Sequence, residues 1–461
     1  MVQLPDVFLQ TTRQLMGDVL FDRYLSSFDE PTPVSIRLNP RRRSLSPDPS
    51  RDGEGSIYTP HQPQGSELYQ PQGSELFTPL PPAGGVGGEA SGGEVSGGEV
   101  SGGEVSGGEA FVPWCPFGLY LPTHPVFTFD PLFHAGCYYV QEAASMFIHH
   151  VLKQYAQAPS DILDLCAAPG GKSTCAIAAL PQGSRLWSNE PVRRRASILS
   201  ENIQKWGYPH CTVTNNYPAD YVKSGLHFDI IICDVPCSGE GMFRRDPQTI
   251  GEWSPQNVEK CWRLQRDIVA DAWQCLLPGG LLIYSTCTFN TKENEENVRW
   301  ILEQFDADIL PVATQPEWGI TGSLLDGFHQ PVYRFIPGIT RSEGLFVAVF
   351  RKRATSKESH QRKQASKANS KLNILNPLEA YPTPVASVQL TYQQAMAYLR
   401  HESLTLPPDV PRGIVQVCFH GHPLGLVKNI GNRANNLYPK EWRITTTHIP
   451  TDYQPIVETR I

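Results

Sequence analysis

The chain has 461 residues, 40% of them hydrophobic, a formal net charge of −7 and eleven cysteines. That length exceeds one ordinary domain and supplies material for two or three. Overall acidity argues against a nucleic-acid partner, no apolar run is long enough to span a bilayer, and the cysteines show neither a disulfide framework nor C-x2-C zinc spacing, so a reduced, cytoplasmic, metal-free monomer without a secretory leader is expected.

Residues 1–45 open with the amphipathic stretch "VFLQTTRQLMGDVLFDRYLSSF". The alternation in Val34–Leu38 then predicts a strand, and Arg41-Arg42-Arg43 form a basic tip, either solvated surface or a phosphate contact. Residues 46–110 are a different material: "QPQGSELY" and "QPQGSELF" are near copies, and "SGGEV" repeats up to Glu109. Such Gly, Ser and Glu repeats bury too little to offset the entropy of ordering, so a disordered insertion with no catalytic role is expected. The segment carries ten Asp or Glu against Arg51, a local −9, which leaves +2 for everything else. The folded part is therefore slightly basic, and the objection to a nucleic-acid partner lapses.

From residue 111 to about 353, β-like and helical segments alternate. "DILDLC", "RLWSNE", "CTVTN", "FDIIICD" and "GGLLIYSTC" read as strands. Helices are expected over Lys172–Leu180, Val192–Trp206, Pro255–Cys275 and Lys292–Gln304, with "YRFIPG" and "GLFVAVFRK" as late edge strands. This pattern predicts an α/β fold, a doubly wound, Rossmann-like parallel sheet with helices on both faces. Residues 351–371 hold eight Lys or Arg against one Glu, a basic linker assigned to 354–375 that suits phosphate contact. Residues 376–461, with a helix at Tyr392–Arg400 and short strands, read as a small α+β or β-barrel domain.

The first strand–helix turn is "DLCAAPGGKST", residues 164–174. It imitates the end of a phosphate-binding P-loop, but Cys166 stands where that motif needs a glycine, and G-x-G-x-x-G is absent. What remains is a glycine turn feeding a helix N-terminus at a strand's carboxyl end, where open α/β sheets bind ligands. Glu190, nineteen residues after Gly171, ends the next strand, where an acid accepts hydrogen bonds from a ribose diol; the alternative is a helix cap. The missing diphosphate signature favours S-adenosylmethionine over NAD or ATP. Asp234 and Cys287 end neighbouring strands roughly 5 Å apart, which gathers Asp234, Cys237, Cys287 and Lys172 around one crevice.

Together "DLCAAPGGKST", "DVPCSGEGMFRRDP" and "YSTCTFNTKENEENV" resemble the motifs of the Nop/Sun family of RNA cytosine-5 methyltransferases, and within it bacterial enzymes that act on small-subunit ribosomal RNA. The likeness extends over roughly residues 111–351 through "HAGCYYVQEAASM" and "NEPVRRRASILSENIQKWG", and weakly into "LGLVKNIGNRANNLYPKEWRI", similar to a PUA-like RNA-binding end. The resemblance implies that Cys287 attacks C6 of cytosine, that Cys237 assists product release, and that Asp234 serves N3 as a buried, protonated acid. It also implies that Cys166, Ala167, Ala168, Pro169, Gly170, Gly171 and Lys172 form the methionine-side loop, that Glu190 holds the ribose, and that Lys172 positions substrate. Asn216 stands where the family often has an adenine-contacting Asp, and its carbonyl oxygen offers the same acceptor. The chemistry agrees, because cytosine C5 is too poor a nucleophile until a thiolate adds at C6. The base must be swung out of its strand, with Arg193–Arg195, Arg244-Arg245 and the basic linker as phosphate contacts. Ribosomal RNA is the expected substrate, with transfer RNA or a non-catalytic role in ribosome assembly as alternatives.

Overall fold

The computed structural model describes residues 3–42, 110–354, 372–375, 384–446 and 448–456. The acidic repeats up to residue 109 and residues 355–371 of the basic linker lie outside these, and with them the expectation of a disordered insertion.

The amphipathic opening forms α1 (Asp6–Met16) and α2 (Asp18–Ser26), which bury Phe8, Phe21 and Tyr24. Strand β1 (Val34–Leu38) follows where the alternation placed it. After the insertion come β2 (Ala110–Phe111), β3 (Gly118–Leu121), α3 (Pro131–His134) and β4 (Tyr138–Val140). These join β1 in a four-stranded sheet ordered β2-β3-β1-β4, all antiparallel. The boundary expected at residue 111 thus falls inside a sheet that the N-terminal segment needs for completion.

The alternating region comprises α4 (Phe147–Tyr155), β5 (Asp161–Asp164), α5 (Gly171–Ala179), β6 (Arg185–Asn189), α6 (Arg193–Trp206), β7 (Cys211–Thr214), α7 (Pro218–Ser224) and β8 (Phe228–Asp234). It continues with α8 (Gln248–Glu252), α9 (Pro255–Cys275), β9 (Leu276–Thr286), α10 (Glu295–Gln304), β10 (Ala307–Ile309), β11 (Tyr333–Phe335) and β12 (Leu345–Lys352). One sheet runs β10-β12-β9-β8-β5-β6-β7, with β11 also on β12. Strands β5 to β9 are parallel, as expected. Strand β12 corrects the reading of a late edge strand: it runs antiparallel between β9 and β10. Its side chains from Leu345 to Phe350 are all buried, and a run so apolar needs a neighbour on each side and cover on each face.

Alternation divides the sheet's side chains between two cores. Ile230, Ile232, Leu281, Ile283, Val347 and Val349 enter the core under α4, α5 and α6. Ile231, Cys233, Leu282, Tyr284, Phe346 and Ala348 enter the one under α9 and α10. Residues 372–375 cover the open edge of β7: Ile374 bridges Thr214, and the Leu375 N–H donates to Val213 O at 2.8 Å.

The C-terminal part forms β13 (Ala386–Gln389), α11 (Tyr392–Leu399), β14 (Gly413–Phe419), β15 (His422–Asn429) and β16 (Ala434–Asn436). Its sheet is ordered β13-β14-β15-β16, parallel only between β13 and β14. Leu399, Val415 and Val427 share one apolar cluster with Ile36 and Leu38 of β1 and Leu132 of α3. The Tyr453 hydroxyl donates to Asp130 at 3.1 Å across the same junction. Among the described residues no helix is long and apolar enough to cross a membrane, and no group of three or more His, Cys, Asp or Glu is arranged to hold a metal ion.

Candidate active site

Strand order reverses at β5, whose neighbours are β6 on one side and β8 on the other. Open α/β sheets leave a crevice at the carboxyl ends there. The loop after β5 is laced to its surroundings through its backbone: Ala167 N–H donates to Asn189 O, Arg195 Nη2 donates to Ala168 O at 3.0 Å, and Asn202 Nδ2 to Pro169 O at 2.7 Å. Gly170 takes φ 115°, a left-handed conformation that favours glycine, and a Cβ there would sit 3.2 Å from Leu199. Helix α5 starts on this turn with no side-chain cap, so its first N–H groups face the crevice without intrahelical acceptors.

Beneath the turn, Asp164 is fully buried. Its Oδ2 accepts from Ser173 at 2.6 Å, while Oδ1 has no partner among the described residues. Burial raises its pKa to about 7. Sequence reasoning passed over Asp164, because an acid at a strand end has no signature until its depth is known.

Lys172 extends from the first turn of α5, and its Nζ lies 2.9 Å from Asp234 Oδ2. Ser285, paired with Asp234 across β8 and β9, donates to Oδ1 at 2.7 Å. Burial works against the Lys172 ammonium, but the Asp234 carboxylate outweighs it and the net shift is upward. Asp234 is 30% exposed, where a buried acid was expected, and Lys172 and Ser285 both reach its side chain.

Both thiols reach the same place. Cys237 and Cys287 are free cysteines whose Sγ atoms lie 2.9 Å apart, and the Cys287 N–H points at Cys237 Sγ at 3.3 Å. The shared hydrogen bond first, and burial second, push the Cys237 thiol well above its usual range.

Two acids missed from the sequence clamp the thiol loops. Glu240 Oε2 accepts the N–H groups of Phe289 and Asn290 at 2.8 and 2.9 Å, tying the Cys237 loop to the chain after Cys287. Glu293 Oε2 accepts from Ser238 N–H and Gln265 Nε2 at 3.1 and 2.7 Å, tying back the other way. Burial raises Glu293 to about 7. At the crossing, a Cβ on Gly241 would stand 2.6 Å from Gly344 Cα and 2.8 Å from Cys287 O, closer than such atoms pack. Both acids sit in motifs legible in the sequence, but nothing in a linear reading joins them.

Other expected residues are placed less simply. Glu190 is 1% exposed: one oxygen accepts Val192 N–H at 2.9 Å and the other pairs with Arg195 at 3.2 Å, so both of its oxygens already have local partners. Asn216 binds the backbone of Asn373, accepting its N–H at 2.9 Å and donating to its carbonyl at 3.2 Å. Among the basic candidates, Arg193, Arg194 and Arg245 are exposed. Arg244 instead pairs with Glu343 at 3.4 Å, both side chains buried, and is withdrawn from the phosphate contacts.

Three family models match in chain order: the N-terminal domain of 16S rRNA methyltransferase RsmF at 104–143, 16S rRNA methyltransferase RsmB/F at 151–351, and the methyltransferase RsmF PUA domain at 385–444. Along these three stretches the chain is similar to the RsmB/F methyltransferases. Ribosomal RNA small subunit methyltransferase F of Pectobacterium carotovorum is 35% identical over 257 residues, 53% of this chain and 51% of that protein. The same-named protein of Klebsiella pneumoniae is 27% identical over 67% of this chain and 78% of its own length. The chain thus spans about half the length of the first of these relatives. A methyltransferase homolog from Pyrococcus horikoshii shares the fold, with TM-score 0.50, 21% identity, and coverage of 76% of this chain and 100% of that one. S-adenosylmethionine is the cofactor of this methyltransferase fold, and the crevice fits it, offering an uncapped helix N-terminus and an orphaned buried carboxylate oxygen below the glycine turn.

Proposed function

We propose that this chain methylates C5 of a cytosine in RNA, with small-subunit ribosomal RNA as substrate, through a covalent bond between Cys287 Sγ and C6. The observation that carries the reading is the pair of free thiols 2.9 Å apart beside an ion-paired Asp234. Binding alone requires neither thiol.

Cys287 acts as the thiolate of the pair and adds to C6, breaking the C5–C6 double bond and moving charge toward N3. Asp234 and Lys172 meet that edge of the ring, and the ammonium offsets the developing charge. Bound S-adenosylmethionine supplies an electrophilic methyl group, which C5 accepts once Cys287 has added. Cys237, hydrogen-bonded to Cys287, gives its proton to the departing Cys287 sulfur and, as the thiolate so formed, takes the C5 proton, which restores the double bond; one proton then passes to solvent as the Cys287 thiolate re-forms. Residues 166–172 hold the methionine side of the cofactor, and Glu190 the ribose after giving up a local partner. Asn216 reaches the adenine through its remaining lone pair. Arg193, Arg194, Arg245 and the PUA-matching domain receive the RNA backbone.

The test is bisulfite mapping of ribosomal and transfer RNA from cells with and without the gene, together with methyl transfer by the purified chain onto small-subunit RNA. One ribosomal cytosine should lose its mark with the gene, and Cys287→Ser should abolish transfer in vitro. A mark confined to transfer RNA would move the substrate, and near-normal turnover by Cys287→Ser would remove the nucleophile.

A further inference from the structure

The stretch "HAGCYYVQEAASM" takes no part in the chemistry above, yet Gln141 within it sits at the edge of the crevice. Its side chain is buried, at 5% exposure. Oε1 accepts from Arg37 Nε at 2.8 Å, whereas Nε2 has no partner among the described residues. That nitrogen lies 3.6 Å from the point a Cβ on Gly171 would occupy, so its unspent N–H groups lie beside the first residue of α5. A buried amide left undonated is costly and calls for an acceptor.

The acceptor should be an anion. Helix α5 begins there without a side-chain cap, and its bare N–H groups and dipole favour negative charge. Behind Gln141, Arg37 is fully buried. Its Nη2 donates to Thr174 Oγ1 at 2.5 Å, its guanidinium lies 4.5 Å from the Trp206 ring centroid, and its Nη1 is unpartnered among the described residues. The titratable groups that the described residues bring to it are the thiols of Cys175 and Cys115, the Tyr139 phenol and the His149 imidazole, with no carboxylate among them. A buried guanidinium without a counter-ion is unfavourable. Cation, amide donor and helix terminus thus surround one position and bring no anion to it.

We propose that Gln141, oriented by Arg37, binds the carboxylate of the amino-acid end of S-adenosylmethionine at the N-terminus of α5. This rests on the cofactor reading above and extends it to a residue outside the strand-end motifs. The placement follows from the sheet: the turn after β5 lies between Glu190 at the end of β6 and Asp234 at the end of β8. A sulfonium whose nucleoside reaches Glu190 and whose methyl group reaches Asp234 turns its third branch over Gly171. Gln141 is the binding residue and Arg37 a positioning residue.

The test is calorimetric titration of the full chain with S-adenosylhomocysteine and with 5′-methylthioadenosine, which keeps the nucleoside and thioether but lacks the amino acid. Gln141→Leu should weaken S-adenosylhomocysteine by about tenfold, as loss of one charge-assisted hydrogen bond does, and leave 5′-methylthioadenosine unchanged. Gln141→Glu, nearly isosteric, should weaken it further by setting carboxylate against carboxylate. Equal losses for both ligands, or unchanged S-adenosylhomocysteine binding with weakened binding of small-subunit RNA, would overturn the assignment; the second result would give the position to a phosphate. Failure of the unaltered chain to bind S-adenosylhomocysteine would instead remove the cofactor reading on which the proposal stands.

Discussion

Two thiols in hydrogen-bond contact titrate as a coupled pair rather than singly. At Cys237 and Cys287 the shared hydrogen bond and burial both raise the Cys237 thiol. The Lys172 ammonium across the crevice places positive charge near Cys287. Lys172→Met should leave Asp234 with Ser285 as its remaining donor and lower methyl transfer by about a hundredfold, the lower range for a positioned proton or charge. Binding of S-adenosylhomocysteine should change only a few-fold. Single-turnover transfer set beside calorimetric binding checks this, and a loss confined to binding would mean that Lys172 serves the cofactor alone.

At the scale of elements, the site is a crossing of two loops. Glu240 and Glu293 each reach from one thiol loop to the other, and Gly241 packs where no Cβ fits. Gly241→Ala should therefore separate the thiols and lower turnover by at least tenfold, with a loss of about 1–3 kcal/mol in stability, as overpacking usually costs. Denaturant melts and rates on the same preparation would show it; an unchanged rate would mean that the loops tolerate separation. Much of this level was legible in the sequence. Strand β8 and helix α9 fall where the apolar run and the helix expected over Pro255–Cys275 placed them, and the motifs landed on strand ends because chemistry in such sheets collects there. The interior position of β12, the clamping acids and the Asn216–Asn373 pairing were not legible, since each depends on residues far apart in the chain. The hydrogen bonds that Asp234 receives were not legible either, because Lys172 and Ser285 come to it from two other elements.

At the scale of the molecule, the PUA-matching domain packs on the β1 sheet through Ile36, Leu38 and Val427, so the two ends of the described chain build one body. The N-terminal helices meet the thiol loops through Phe8, Tyr24, Phe243 and Phe289, near the buried pair Arg244 and Glu343. Burial raises Glu343 to about 7 despite Arg244. The unfolded chain releases that proton near its ordinary value of 4.5, so between there and about 7 the folded state binds the extra proton, and Glu343's contribution to stability declines as pH rises. Glu343→Gln removes this titration. It leaves Arg244 without its anion and lowers stability overall, but its stability relative to the parent chain should climb by about 1–3 kcal/mol across that window; a flat difference in melts taken from pH 4.5 to 7.5 would contradict it. The central claim joins these scales, since it requires one thiol to bond RNA and the other to release it. Its most direct measurement is a denaturing gel, with mass mapping of the cross-linked peptide, of Cys237→Ala incubated with small-subunit RNA and S-adenosylmethionine. The account predicts RNA covalently held through Cys287, and none with Cys237→Ala/Cys287→Ser; a Cys237→Ala protein that turns over and releases normally, or an adduct on any other residue, would contradict it.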